Sequence, residues 1–205
     1  MSQKLSYTNR QNSTAYIRAV PAKKGGMRYY ITKDPKSLDL IEEMPDGYEF
    51  YENPEDARII FRQRKLSQIT SVERQIVEDA VANLSAVTDY IVDAREKEIV
   101  VYISQFSSIG GQEPSLSDEE ARELWGDHSD RWKKYDDYVR FVLVSRSPRV
   151  FAVWRVAFFG LFSHEYVELE RSEDLDYLAE KVCECIGRDS YFDLLPEGVV
   201  PEDEM

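Results

Sequence analysis

The chain has 205 residues, of which 42% are hydrophobic, 12% aromatic and 32% charged. These proportions are typical of one large globular domain or two small ones, and they exclude a disordered chain. The net charge of −13 disfavours nucleic acid as a partner without excluding it, and the two cysteines, Cys183 and Cys185, exclude a disulfide framework.

The first 26 residues form a basic polar leader, which we expect to be partly disordered. Between Met1 and Lys33 there are seven basic residues and no acidic one. Such a segment is either a strand or tail lying on the protein's own acidic surface or an arm held out to a polyanion. The leader lacks the apolar segment of a secretory signal, and no other stretch has the roughly 20 apolar residues of a membrane span. We therefore expect a soluble, cytoplasmic protein without a membrane contact.

Residues 27–104 are predicted to form an N-terminal α+β lobe. A strand over Met27–Thr32 and a short helix over residues 37–44 come first. A β-hairpin follows, turning at Asn53-Pro54, and a helix then begins at the capping box Thr70-x-x-Glu73. A second hairpin, with its charged tip at residues 95–97, completes the lobe.

A Gly/Ser/Pro-containing linker over residues 105–117 separates this lobe from a C-terminal α+β lobe over residues 118–195. The second lobe is predicted to contain a helix opened by Ser117-x-x-Glu120, three strands, and a helix that Ser172 caps. Residues 196–205 form an acidic tail. The fold class is therefore α+β, with antiparallel sheet built from three successive β-hairpin–helix units and helices packed on one sheet face.

Motifs of catalysis and metal binding are absent from the sequence. There is no Gly-rich phosphate loop, no nucleophile elbow and no Cys/His zinc spacing, so we expect no cofactor and no metal. The weak catalytic candidates are His128, flanked by the carboxylates of Asp127 and Asp130, and His164. A helix break and restart around His128, and a turn histidine at position 164, are the structural alternatives.

Three arginines of the C-terminal strands are candidates for an anion site. If the hairpin turns at Ser147-Pro148, Arg140 lies opposite Arg155, with Arg149 nearby. Like charges that face each other destabilise a sheet, so they need a counter-charge. That charge is either a bound phosphate or carboxylate, or Glu168 on the following strand, and a register slip of one residue removes the pairing altogether.

The first hairpin offers a candidate partner surface. Period two places Tyr48, Phe50, Ile59 and Phe61 on its inner face. The outer face carries Tyr51, Arg58 and Arg62, with Arg64 further along. Rings beside arginines are typical of single-stranded nucleic-acid platforms, yet they also pack as ordinary surface pairs, and neighbouring acids offset the charge.

The leading hypothesis is a non-catalytic interaction or regulatory protein that binds another protein. Two alternatives stay open. The first is an enzyme with a site assembled around His128 and His164 with nearby carboxylates, because site residues are brought together in space and need no motif. The second is a nucleic-acid-associated protein that uses the basic arm and the arginine face of the first hairpin.

Overall fold

The computed structural model describes most of the chain. The described ranges are residues 3–105, 118–125, 133–159 and 164–196. No helix in these ranges is long and apolar enough to cross a membrane.

The chain divides into two compact units. Unit 1 comprises residues 1–65 and 125–134, and unit 2 comprises residues 66–124 and 135–205. The first boundary between them falls after Lys65, whereas all but the first residue of the linker expected over residues 105–117 lies outside the described ranges.

Unit 1 is built from antiparallel strands. They are β1 (Ser6–Thr8), β2 (Thr14–Pro21), β3 (Met27–Thr32), β4 (Tyr48–Glu52) and β5 (Ile59–Gln63). The first three form one sheet in the order β1-β2-β3, and β4 and β5 form a two-stranded hairpin. The basic leader therefore supplies β1 and β2, because alternate leader residues such as Ala15 and Ile17 are buried inside unit 1.

Aromatic rings fill the interior of unit 1. The ring of Tyr29 lies 4.8 Å from that of Tyr48 and 5.6 Å from that of Phe61, measured between centroids. Phe50 lies 5.3 Å from Phe61 and 5.5 Å from Tyr7. The period-two pattern of the first hairpin predicts that Tyr48, Phe50 and Phe61 share a face, and these ring contacts confirm it.

The helix predicted over residues 37–44 does not form. The amide of Ile41 donates to the carbonyl of Ile17 at 3.0 Å, and the amide of Ala19 donates to the carbonyl of Asp39 at 3.0 Å. These bonds hold the segment against β2, where its backbone groups are satisfied without a helix. Asp39 also adopts a φ of 63°, which a right-handed helix does not tolerate.

Unit 2 is a two-layer arrangement of helices and one sheet. Its elements are α1 (Ser71–Leu84), β6 (Tyr90–Ala94), β7 (Glu98–Ser104), β8 (Tyr135–Arg146), β9 (Arg149–Phe159), β10 (His164–Ser172), α3 (Leu175–Cys183) and a short 3-10 helix (Asp189–Tyr191). A further helix, α2 (Asp118–Trp125), follows β7 in the chain. The five strands pair antiparallel in the order β10-β9-β8-β7-β6.

Alternation along β7 shows which face of this sheet carries the helices. Ile99, Val101 and Ile103 pack in one buried cluster with residues of α1 and α3, whereas Val100 and Tyr102 belong to a separate buried cluster. The α+β class and the antiparallel pairing are therefore confirmed. The three successive hairpin–helix units are not, because the strands expected in the last two units form one five-stranded sheet.

The helix starts follow local capping rules. The Glu73 amide donates to Thr70 Oγ1 at 3.2 Å, and the Thr70 amide donates to Glu73 Oε2 at 2.8 Å, so the predicted capping box is formed. Helix α3 starts two residues later than predicted. Its N-cap is Asp174, which accepts the amide of Tyr177 at 3.0 Å, and Ser172 accepts the amide of Asp174 instead.

A β-bulge displaces the register predicted between β8 and β9. The pairing shifts by one residue between Leu143 and Ser145, so Arg140 lies opposite Trp154 and not opposite Arg155. One slipped residue moves a side chain to the other face of a sheet, and Arg140 and Arg155 consequently share no face.

A second shift separates the remaining members of the predicted ladder. The pairing of β10 with β9 slips between Glu165 and Tyr166, which places Val167 opposite Arg155 and Glu168 opposite Trp154. The ladder of Arg140, Arg155 and Glu168 is therefore wrong in its register.

Candidate functional site

The histidine candidates are only partly within the described ranges. His128, Asp127 and Asp130 lie outside them. His164 is the first residue of β10, and its backbone lies opposite Phe159. Among the described residues, no group of three or more His, Cys, Asp or Glu side chains is arranged to hold a metal ion.

The three arginines proposed as an anion site have separate partners. Arg140 Nη2 lies 2.6 Å from Asp137 Oδ2, and Arg149 forms a two-pronged ion pair with Glu73. Arg155 donates to three backbone carbonyls, those of Val156, Phe192 and Leu194, at 2.8–3.1 Å. These arginines connect elements of unit 2, and the structure does not bring them together around an anion.

Asp137 carries the most deeply buried carboxylate among the described ion pairs. Its side chain is 4% exposed, and Oδ1 has no hydrogen-bond partner among the described residues. Burial raises the pKa of Asp137, and the charge of Arg140 only partly opposes this. The guanidinium of Arg140 also lies 4.2 Å from the ring centroid of Tyr166, whose pKa burial and the Asp137 carboxylate raise to about 12. Because Oδ1 is closed to solvent, we interpret this cluster as an internal ion pair.

The arginines on the outer face of the first hairpin are neutralised locally. The guanidinium of Arg62 lies 3.6 Å from the ring centroid of Tyr51, and its Nε donates to Glu49 Oε1 at 3.0 Å. Arg64 lies 3.8 Å from Glu49, and Arg58 lies 3.9 Å from Asp56. Tyr51 and Arg62 share a face, as period two predicts, but each arginine already has a carboxylate beside it.

A groove between α1 and α3 is the candidate functional site. Its volume is about 320 Å³. It is lined by Ile76, Asp79, Ala80, Asn83, Leu84, Asp176, Ala179 and Glu180. We call it the α1–α3 groove.

Helical spacing places these residues around the groove. Ile76, Ala80 and Leu84 recur every four residues on α1, so they form one stripe along that helix. On α3, Asp176 and Glu180 have the same spacing and lie one above the other. The groove thus has apolar residues of both helices in its lining, with carboxylates on each side.

The carboxylates of the groove carry uncompensated charge. No salt bridge within the described ranges involves Asp79, Asp176 or Glu180, and Asp79 accepts only a neutral hydrogen bond, from Gln75 Nε2 at 2.8 Å. Lys181 follows Glu180 in the chain, but its ammonium group contacts Glu170 at 2.5 Å. The lining contains no His, Cys, Ser or Lys side chain, so its reactive groups are the carboxylates of Asp79, Asp176 and Glu180.

Sequence reasoning missed this groove because its two walls are about a hundred residues apart in the chain. The available signal is the pair of carboxylates at i and i+4 beside the apolar stripe of α3, which is compatible with any solvated helix. Only the packing of α1 beside α3 turns these positions into a concave surface.

No protein-family model, curated protein or solved structure matches this chain. Its function must therefore be inferred from the chemistry and geometry of the described residues.

Proposed function

We propose that this protein is a non-catalytic binding protein whose α1–α3 groove receives a basic amphipathic helix of a partner protein. The observation that supports it is the combination of an apolar floor with carboxylates that form no salt bridge among the described residues. An amphipathic helix places apolar side chains at i, i+3 and i+4 into such a groove and keeps its flanks polar.

The small residues of the groove support a helical occupant. Ala80 and Ala179 lie in the lining, and a methyl side chain leaves room for the apolar side chains of another helix. Ile76 and Leu84 are partly buried and pack against the core of unit 2, so part of their apolar surface stays available to a ligand.

The charge of the groove selects the partner. Asp79 on α1 and Asp176 and Glu180 on α3 would attract lysines or arginines on both flanks of an incoming helix. The same carboxylates repel the corresponding surface of a second copy of this chain, which disfavours a symmetric dimer through the groove. The hypothesis of a protein partner is thereby extended to a specific surface, the α1–α3 groove, and to a partner with basic side chains.

A titration with a designed peptide tests this function. The probe is an amphipathic peptide of leucine and lysine, and its control is a peptide of identical composition in scrambled order that has no apolar face. We expect the amphipathic peptide to bind at 50 mM salt and to weaken at 300 mM, because salt screens partly exposed charges. Isothermal titration calorimetry measures both affinities.

Charge-reversal variants locate the binding surface. The double variant Asp176→Lys/Glu180→Lys should weaken peptide binding roughly ten-fold, since an exposed pair contributes about 0.2–1 kcal/mol and two are reversed. Its matched control is Glu119→Lys/Glu123→Lys, which changes the net charge equally on exposed positions of α2. Equal loss in both variants, or equal binding of the scrambled peptide, would contradict the proposal.

A further inference from the structure

The outer face of the β1-β2-β3 sheet in unit 1 has a chemistry opposite to that of the α1–α3 groove. Cross-strand pairing places Arg18 opposite Tyr30, Tyr16 opposite Thr32, and Val20 opposite Arg28. Residues paired across strands point to the same side of a sheet, and Ile17, one position away, is fully buried on the inner side. Arg18, Arg28, Tyr16 and Tyr30 therefore share the outer side, which we call the basic sheet face.

The basic sheet face is open at one end. Tyr30 is 49% exposed, and Arg28 is exposed beside it. The hairpin that joins β2 to β3 carries the exposed Lys23 and Lys24 and ends in two glycines of positive φ. No side chain or backbone atom lies within 4 Å of the space that a Cβ would occupy at either glycine. A ligand can thus reach the ring and the cations together.

The cations at this end lack internal counter-charges. No salt bridge within the described part of the chain involves Lys23, Lys24 or Arg28. Arg18, which lies opposite Tyr30, differs from them because Asp39 lies 3.7 Å from its guanidinium. This differs from the first hairpin, where every candidate arginine has a carboxylate within 4 Å.

We propose that the basic sheet face binds single-stranded nucleic acid. Bases stack on exposed aromatic rings, while lysines and arginines beside the rings contact the phosphates. Tyr16 and Tyr30 lie at diagonal positions on adjacent strands, roughly 7–8 Å apart by the geometry of antiparallel sheets, which is within the reach of consecutive unstacked bases.

The geometry favours a single strand over a duplex. A duplex keeps its bases stacked in its interior, so the ring of Tyr30 would find no base face on which to stack. An acidic peptide shares the charge of nucleic acid but gives the ring no flat partner. Stacking on Tyr30 is therefore the feature that separates the ligand classes.

Fluorescence anisotropy of a labelled 15-nucleotide oligo(dT) with the full chain tests the proposal. We expect Tyr30→Ala to weaken binding about 5- to 100-fold, which is the range for loss of one base stack, whereas Tyr30→Phe should bind as the unsubstituted protein does. Arg28→Ala should weaken binding and also lower the slope of log K against log salt by about 0.7, because one phosphate contact is lost. Urea unfolding of each variant separates loss of the site from loss of the fold.

Matched controls come from the first hairpin. Tyr51→Ala removes a ring of β4, and Arg64→Ala removes an arginine just after β5; each should leave the affinity within two-fold. The proposal is overturned if the oligonucleotide does not bind, if the controls lose as much as Tyr30→Ala and Arg28→Ala, or if duplex DNA or poly-glutamate competes as well as the unlabelled single strand. Because this site is independent of the α1–α3 groove, Asp176→Lys/Glu180→Lys should not weaken oligonucleotide binding.

Discussion

The interiors of the two units are built from different kinds of side chain. Unit 1 relies on rings that are mostly half-buried, such as Phe50, Phe61 and Tyr29, and few of its residues are fully buried. Unit 2 has a large cluster of fully buried aliphatic residues between one sheet and two helices. Small units have a high ratio of surface to volume, and large flat side chains let such a unit remove apolar area from water without a deep interior.

The segments before and after residue 65 also differ in charge. Residues 1–65 contain 12 basic and 9 acidic residues, so the other 140 residues contain 14 basic and 30 acidic ones. The net charge of −13 is therefore the sum of a slightly basic segment and a strongly acidic one. The overall charge of a chain consequently says little about the partner of each part, and the two proposed sites have opposite signs for this reason.

The largest expected effect compares the two interiors. Leu178 is fully buried in α3, and Leu178→Ala should lower the free energy of unfolding by about 2–5 kcal/mol because it leaves a cavity. Phe61→Ala in unit 1 should cost less, about 1.5–3 kcal/mol at most, since the ring of Phe61 is only partly buried. Urea unfolding followed by circular dichroism measures both free energies of unfolding. Equal losses of stability in the two variants would contradict the expected difference between the two interiors.

The next largest effect concerns the ion pair of Arg149 and Glu73 in unit 2. Burial raises the pKa of Glu73, but hydrogen bonds from Arg149 and Thr70 outweigh it and leave the pKa below its ordinary value of 4.5. The stability that this group contributes is therefore present above pH 4.5 and is lost as the pH falls through the lower, folded-state pKa. Arg149→Ala should cost about 1.5–3 kcal/mol at pH 7 and show a shallower loss in acid.

The control for that experiment is Arg171→Ala, which removes an exposed pair with Glu168. It should cost clearly less than Arg149→Ala, because water screens the attraction between exposed charges. A cost equal to that of Arg149→Ala would contradict the importance of the two-pronged geometry.

A smaller effect, of opposite sign with pH, is expected at Asp137. Burial raises the pKa of Asp137 above its ordinary value of 3.8, so this carboxyl group holds its proton more tightly in the folded protein than in the unfolded chain. Stability is therefore lost as the pH rises from 3.8 through the folded-state pKa. In Asp137→Asn this pH-dependent loss disappears, so the free energy of unfolding of the variant should change less between acid and neutral pH than that of the unsubstituted protein. Urea titrations at several pH values measure the slope, and an unchanged slope contradicts the interpretation.

The smallest effect compares two arginines of unit 1. Arg62→Ala should lower the free energy of unfolding by about 0.2–1 kcal/mol, because it removes the stack on Tyr51 and the pair with Glu49. Arg28→Ala should change it less, since no ion pair within the described ranges involves Arg28. If Arg28→Ala costs more than Arg62→Ala, the basic sheet face is a structural element rather than an available surface.

Local patterns predicted the elements of this fold well. The period-two pattern predicted that Phe50 and Phe61 lie on one face of the first hairpin. The capping box of Thr70 and Glu73 predicted where α1 begins. These signals depend on residues at most four positions apart in the chain, so they can be identified from the sequence alone. The helix over residues 37–44 failed because hydrogen bonds to β2 overrode its weak helical pattern.

The candidate sites were less predictable. The proposed pairing of Arg140 with Arg155 failed because bulges shift the register, and a bulge depends on packing over the whole sheet. The α1–α3 groove had no signal of its own, since each wall resembles an ordinary solvated helix. For the basic leader, the sequence showed the charge but left open whether it was a strand or an arm.

The sequence by itself determined the strands from β3 onward, the helices α1 and α3, and the separation of basic from acidic residues along the chain. Tertiary structure alone decided which strands share a sheet, where the register slips, and which charges receive a partner. The physical reason is distance along the chain. Periodicity and capping act between near neighbours. A groove, an ion pair such as Arg149 with Glu73, or a cation without a salt bridge among the described residues, such as Arg28, is defined by the positions of residues that are distant in the chain.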